Sequence, residues 1–207
     1  MTQEIEGRRS ATAEVGPMIM AAFALPLFVW SAFNAGYFDL DAEAFIIPLA
    51  ILLGGAIGFG GAMWAYQRHQ TYLATMAAIF GAFWLTYGAM LWLMQNGVID
   101  EDAVTGDLRG LLFSAWAVSM AILWLASIRE HWTYMLVTLG AAVMFVVLAI
   151  GHFAGDGGFI EAGGWVGFVT AVLAWYSALA DMLNMEFERP VLPTDVGWFR
   201  GLRLRGR

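Results

Sequence analysis

Six long apolar stretches, separated by short polar segments, dominate the sequence. They are residues 17–38, 44–66, 71–95, 108–128, 132–153 and 163–184. A helix needs about 20 apolar residues to cross the hydrocarbon core of a bilayer, and each stretch is long enough. A chain in lipid must pair its own backbone polar groups, which a helix does within one segment. We therefore predict an all-α integral membrane protein with six transmembrane helices.

Composition supports a membrane location and excludes several kinds of chemistry. Of the 207 residues, 60% are hydrophobic and 13% are charged, which is too apolar for a soluble domain. All ten basic residues are arginines and cysteine is absent, so Schiff-base lysines, disulfides and thiolate metal ligands are excluded. The sequence also lacks the HExxH, G-x-S-x-G and phosphate-binding glycine motifs. We expect no enzyme activity, no cofactor, no metal ion and no nucleic-acid partner, with membrane lipid as the surroundings.

The arginines predict how the chain is oriented. With six spans, nine of them fall on one side of the membrane, and only Arg109 falls on the other. The nine are Arg8, Arg9, Arg68, Arg129, Arg189, Arg200, Arg203, Arg205 and Arg207. Because arginine-rich segments stay cytoplasmic, we predict an N-in, C-in arrangement in a bacterial inner (plasma) membrane. Residues 1–15 are then a cytoplasmic tail, 16–186 the transmembrane domain and 187–207 a basic cytoplasmic tail.

The first apolar stretch contains two prolines. Pro17 lies where a helix tolerates proline, in the first turn. Pro26 falls inside the span, where the ring removes a hydrogen bond and is expected to bend the helix. One reading is a simple anchor helix. The other is a helix that lines a path through the protein, with Phe23 and Asn34 turned toward it.

The side opposite the nine arginines is acidic, and solvated loops are the first explanation. Its acidic residues are Asp39, Asp41, Glu43, Asp100, Glu101, Asp102, Asp107, Asp156 and Glu161. Within the spans, Phe80 beside Gly81 suits a constriction, whereas Phe83 and Trp84 are expected to face lipid. Small-residue faces such as Gly54 with Gly58 favour close helix packing, either inside one subunit or between subunits.

Several motifs along the chain resemble those of the acetate/succinate permease family of the YaaH type, over roughly residues 14–193. The matching segments are Asn34-Ala35-Gly36-Tyr37-Phe38, Gly81-Ala82-Phe83-Trp84-Leu85-Thr86, Leu148-Ala149-Ile150-Gly151, Ala162-Gly163-Gly164-Trp165-Val166-Gly167, Tyr176, Asn184 and Glu188-Arg189-Pro190-Val191-Leu192-Pro193. The resemblance implies six transmembrane helices, a solute path within each protomer and assembly as a homo-hexamer. Members of the family move acetate, and some move succinate, as proton-coupled permeases or as anion channels.

The resemblance also implies a hydrophobic constriction, formed here by Phe23, Phe80 and Ala141. The family usually has tyrosine at the second place and leucine at the third, so Ala141 is expected to leave a wider gap. The first-helix signature N-P-A-P-L-G-L is reduced to a single proline, Pro17. At the outer end, His152 replaces the usual asparagine.

These observations favour transport of acetate or a similar small monocarboxylate, with succinate as a further solute and protons as a coupled partner. Asn34, Tyr37 and His152 are the expected hydrogen-bond donors of an outer mouth, and histidine titrates near neutral pH. The acidic outer loops count against an anion, because like charges repel over about a Debye length, roughly 8–10 Å in salt. Two alternatives therefore remain: export of ammonium or ammonia, and a non-conducting membrane sensor or scaffold.

Overall fold

A computed structural model describes residues 13–194, except for the side chains of Leu40 and Asp41. It contains six helices long and apolar enough to cross a membrane, and no strand within residues 13–194. The helices are α1 (Gly16–Asn34), α2 (Ala42–Gln67), α3 (Thr71–Gln95), α4 (Gly106–Ala126), α5 (Trp132–Ala154) and α6 (Gly157–Glu186). The prediction of a six-helix, all-α membrane protein is confirmed. Most of the two predicted tails, including the arginines at positions 8, 9, 200, 203, 205 and 207, lies outside the described residues.

Helix α1 is shorter than predicted and continues past its internal proline. Pro26 is buried within a helix that runs on to Asn34. The helix stops there because Gly36 has a φ of 76°, a conformation that favours glycine. Pro17 occupies the first turn, as predicted.

Helix α6 begins six residues earlier than predicted. The Oδ1 atom of Asp156 accepts a hydrogen bond of 2.8 Å from the backbone N–H of Gly158, which caps the first turn. The helix therefore includes the glycine-rich segment 157–164, which resembles a loop when composition alone is considered.

Helix α2 changes its winding along its length. It begins as a 3₁₀ turn, passes through a π-helical stretch over Leu49–Ile57 and ends as a regular α-helix over Gly58–Gln67. Pro48 lies just before the π-helical stretch. Proline removes one hydrogen bond from the helix ladder and clashes with the preceding turn, so altered winding here has a local cause.

The helices pack in the order α4, α5, α6, α1, α2 and α3. Helices α2 and α3 approach closely at Gly58 and Gly81, where a methyl group on Gly58 would lie 3.2 Å from the Cα atom of Gly81. Small residues therefore serve packing inside the subunit at this crossing. Gly60, by contrast, has no atom within 4 Å of the position its Cβ would take.

An aromatic cluster around Trp30 fills the core between α1, α3, α4 and α5. The Trp30 side chain is fully buried. Its ring centroid lies between 5.1 and 6.4 Å from those of Phe83, Trp84, Tyr87, Phe113 and Phe145. The expectation that Phe83 and Trp84 face lipid is wrong, because both rings are buried in this cluster.

Candidate functional site

Two cavities lie at opposite ends of the helix bundle. We call the end at which α1 begins the near end, and the end at which α1 finishes the far end. The near cavity has a volume of about 670 Å³ and is lined in part by Glu14, Pro17, Tyr72, His131, Tyr134 and Asp181. The far cavity has a volume of about 40 Å³ and is lined in part by Asn34, Glu43, Tyr87, Arg109, Phe113 and His152.

A hydrogen-bonded cluster forms the inner wall of the near cavity. The hydroxyl of Tyr134 donates to Oδ2 of Asp181 over 3.1 Å, and Nδ1 of His131 lies 3.6 Å from Oδ1 of the same carboxylate. The His131 ring also stacks on the Tyr134 ring, with centroids 5.3 Å apart. Asp181 is buried, and a buried carboxylate is tolerated when such partners surround it.

The rim of the near cavity ties the chain before α1 to the connection between α2 and α3. Arg68 forms an ion pair with Glu14 and donates to the backbone carbonyl of Ala13. Gln70 donates to the other carboxylate oxygen of Glu14 over 3.1 Å. Pro17, the residue retained from the first-helix signature, lines the cavity beside this rim.

The segment after α6 folds back toward the near cavity. Oδ1 of Asn184 accepts hydrogen bonds from the backbone N–H groups of Val191 and Leu192, and its Nδ2 donates to the carbonyl of Leu192. The hydroxyl of Tyr176 donates to the carbonyl of Pro193 over 3.0 Å. The motif residues at the end of α6 therefore hold the following segment against the helix.

Phe23, Phe80 and Ala141 lie between the two cavities, and we call these three residues the middle layer. The rings of Phe23 and Phe80 are stacked, with centroids 4.0 Å apart and an interplanar angle of 14°. All three side chains are buried. At 1.5 Å per residue, Phe23 lies about 10 Å along α1 from the near-cavity residue Gly16 and about 16 Å from Asn34 in the far cavity. Similar spacings apply to Phe80 on α3 and Ala141 on α5, so the layer lies near the middle of these helices. Phenylalanine and alanine side chains form no hydrogen bonds, so the layer is apolar.

The far cavity brings together two of the three side chains predicted for an outer mouth. Asn34 and His152 both line it, and the amide of Asn34 donates to the carbonyl of Trp30 over 3.0 Å. The ring of His152 lies 5.3 Å from that of Phe113. Tyr37 does not line the far cavity, and its half-exposed side chain lies with its ring 5.7 Å from that of Trp165.

Glu43 reaches from the 3₁₀ turn at the start of α2 into the far cavity. Its Oε1 atom accepts a hydrogen bond of 2.5 Å from the Tyr87 hydroxyl and one of 3.1 Å from Nε1 of Trp30. The Trp30 N–H also points to the Tyr87 oxygen, at 3.0 Å. The interpretation of Glu43 as a solvated loop charge is therefore wrong, because both donors that hold it are buried.

The sequence interpretation did not assign Glu43, Tyr87 or Arg109 to a site. Arg109 was noted only as the exception to the charge asymmetry. The sequence does contain a signal for Arg109. One face of the predicted helix carries residues spaced three or four positions apart, namely Gly106, Arg109, Gly110 and Phe113. Two glycines beside an arginine on one face are typical of a helix that approaches a neighbour closely there.

The arrangement as a whole consists of two polar cavities separated by an apolar layer. Such a layout offers a small polar molecule hydrogen-bonding groups at either end and none in the middle. The far cavity is large enough for only a few groups of the size of water.

Comparison with known proteins relates this chain to membrane transporters. Residues 4–194 match the sequence profile of the GPR1/FUN34/yaaH family. The succinate-acetate/proton symporter SatP of Escherichia coli (strain K12) is 29% identical over 181 residues, which are 87% of this chain and 94% of that protein. Ammonia transport outward protein 2 of Saccharomyces cerevisiae is 28% identical over 178 residues, 84% of this chain and 63% of that protein. The solved structure of the bacterial acetate channel SatP has a TM-score of 0.83 at 28% identity, and the match covers 88% of this chain and 99% of that chain.

Proposed function

The chain belongs to the GPR1/FUN34/YaaH family, and from this premise we propose that it carries acetate or a similar small monocarboxylate across the membrane. The observation that carries the proposal is the order of near cavity, middle layer and far cavity along the helix bundle. The names of its relatives, a succinate-acetate/proton symporter and an acetate channel, support the same class of solute. The protein is a multi-pass membrane protein, and in a bacterium it belongs to the inner membrane.

The middle layer is the proposed constriction. A bare carboxylate would lose its hydration between Phe23, Phe80 and Ala141, at a free-energy cost that a dry apolar layer does not repay. The protonated acid is neutral and crosses at much lower cost. An imidazole, a group that can take up and release a proton, lines each cavity, that of His131 at the near end and that of His152 at the far end. Both are therefore candidates for exchanging the proton that accompanies the solute.

The orientation and assembly of the protein are part of the same proposal. The near end, which carries Arg68 and Arg129, faces the cytoplasm according to the positive-inside rule. The protein forms a homo-hexamer, as the resemblance implies, with one path in each protomer. Native mass spectrometry from a mild detergent measures this state directly, and a monomer as the largest species would contradict it.

Export of ammonium or ammonia is the second candidate, and two observations favour it. A relative is named as an ammonia transport protein, and the far end carries acidic side chains that attract cations. Against this candidate, the guanidinium of Arg109 lines the far cavity and would repel ammonium at the point of entry.

Uptake of labelled acetate into liposomes that hold the purified protein tests the function. Propionate, succinate and ammonium serve as competitors, and protein-free liposomes serve as the control. Saturable uptake that propionate inhibits and ammonium does not is the expected result. Inhibition of acetate uptake by ammonium but not by propionate would favour the second candidate. The absence of any flux would favour a sensor or scaffold.

A further inference from the structure

The far cavity holds one carboxylate on donors that suit a solute of the same chemistry. Resting on the function proposed above, we propose that the far cavity is a carboxylate-binding site in which Glu43 occupies the position of the solute and competes with it. Glu43 is then a specificity-determining residue, and Arg109 supplies the positive charge that draws the solute carboxylate in.

The first observation is the convergence of two buried donors on one oxygen. The Tyr87 hydroxyl and the Trp30 indole N–H both reach Oε1 of Glu43, at 2.5 and 3.1 Å. The Trp30 side chain is fully buried and that of Tyr87 is 6% exposed, so water has little access to either donor. A buried donor without an acceptor is costly, and the carboxylate meets this requirement for both donors at once.

The second observation concerns the charge on the opposite wall of the cavity. Among the described residues, Arg109 forms no salt bridge, although Glu43 lines the same cavity. The cavity therefore contains a guanidinium and a carboxylate that are more than 4 Å apart. A small carboxylate is the kind of solute that pairs with such a guanidinium, by charge and by its two hydrogen-bonding oxygens.

The third observation is that the start of α4 is packed so that Arg109 reaches the cavity. A methyl group on Gly106 would lie 2.7 Å from the backbone oxygen of His152, and one on Gly110 would lie 2.8 Å from the Phe153 ring. Glycine at position 106 permits this approach of α4 to the end of α5, because a side chain there would meet the backbone of His152. Arg109 lies between the two glycines, on the turn that faces His152. Arg109 and His152 both line the far cavity.

These observations predict that an added carboxylate replaces the Glu43 side chain when that side chain is removed. In Glu43→Ala, the Tyr87 hydroxyl loses its acceptor and the Trp30 N–H keeps only the Tyr87 oxygen, so the melting temperature of the protein in detergent is expected to fall. Sodium acetate should restore it, and sodium chloride at the same ionic strength should not. Asp107→Asn is the matched control, since it removes an exposed charge at the same end and lines neither cavity. Equal acetate shifts in the wild type, Glu43→Ala and Asp107→Asn would overturn the proposal.

A second variant keeps the hydrogen-bonding shape and removes only the charge. In liposomes, Glu43→Gln is expected to lower the half-saturating acetate concentration by about fivefold, the scale of one partly exposed charge interaction. Arg109→Gln should raise it by a similar factor, in the wild type and in the Glu43→Gln background. An unchanged or raised half-saturating concentration in Glu43→Gln would contradict competition.

The two proposals fail in different ways. The proposed function would be overturned if liposomes that hold the wild-type protein took up no acetate above the protein-free rate. Recovery of the Glu43→Ala melting temperature in acetate would still show that the far cavity binds a carboxylate. Normal wild-type uptake, together with no rescue and no change in half-saturation, would overturn the site and leave the function standing.

Discussion

The near and far cavities differ in volume and in what their charged groups contact. The near cavity is about 670 Å³, and the far cavity is about 40 Å³. At the near end, Glu14 pairs with Arg68, and Asp181 accepts from Tyr134 with His131 close by. At the far end, two neutral donors hold the carboxylate of Glu43. The near cavity is thus wide with its charges engaged by protein, and the far cavity is narrow with a carboxylate that a solute can replace.

On the proposed function, this difference divides the work of transport between the two ends. The near cavity is expected to admit solute from solution, and its polar cluster to stabilise the fold. The far cavity is expected to select by size and charge. Substitutions at the near end should therefore change the stability of the protein more than its selectivity. Substitutions in the middle layer should remove the apolar barrier that separates the two cavities.

The largest expected effect comes from removing the divider between the cavities. Phe80→Ala deletes the ring that stacks on Phe23, so larger monocarboxylates should pass. We expect the uptake of benzoate relative to acetate to rise on the order of tenfold, a lowering of the barrier by about 1.4 kcal/mol. Deletion of a buried phenyl ring should also cost about 3–5 kcal/mol of stability. Paired uptake of the two labelled acids measures the ratio.

Phe59→Ala is the matched control for this variant, because Phe59 lies exposed on the outer surface of α2. It should leave the ratio of benzoate to acetate uptake unchanged. A ratio that is equally unchanged in Phe80→Ala would place the path away from the middle layer.

An intermediate effect is expected in the near cavity. Asp181→Ala leaves the buried hydroxyl of Tyr134 without its acceptor, which should lower the free energy of unfolding by about 1–3 kcal/mol. Asp181→Asn keeps an acceptor oxygen and should lower it less. Thermal unfolding in detergent measures both, with the exposed Glu161→Gln as a control. A shift in the half-saturating acetate concentration beyond threefold, at normal stability, would mean that the near cavity also selects.

The smallest effect is expected at the rim of the near cavity. The side chain of Glu14 is 44% exposed, so its ion pair with Arg68 is partly screened by solvent. Glu14→Gln should lower stability by less than about 1 kcal/mol. The difference from the wild type should shrink in 1 M salt, where the Debye length is about 3 Å. A difference that persists in high salt would show that hydrogen bonding, rather than charge, holds the rim.

The fold was largely predictable because hydropathy alone identifies spans in a membrane protein. The third span, 71–95, agrees with Thr71–Gln95 at both ends. The start of α6 was not predictable from hydropathy, since residues 157–162 are rich in glycine and include Glu161. Capping by Asp156, which depends on backbone geometry, makes that segment helical.

The candidate site was predictable only in part. The resemblance pointed to Phe23 and Phe80, and the structure stacks their rings. The roles of the middle layer and of Asn34, Tyr37 and His152 in transport remain predictions. Glu43 and Arg109 were not assigned to a site because a charged residue at the end of a span is usually interpreted as an exposed residue at the membrane surface. Their shared cavity depends on how the 3₁₀ turn at the start of α2 and the first turn of α4 pack on the bundle.

Acetate uptake by Ala141→Leu tests the central claim most directly, namely that solute crosses between the cavities through the middle layer. Ala141 is fully buried, so a leucine there overpacks the layer. Overpacking costs about 1–3 kcal/mol, and a barrier raised by that amount slows passage by about 5- to 150-fold. The control is Ala115→Leu, at an exposed position on α4. The account predicts uptake near the protein-free rate for Ala141→Leu and wild-type uptake for Ala115→Leu. Equal uptake by both variants, with both correctly folded, would contradict it.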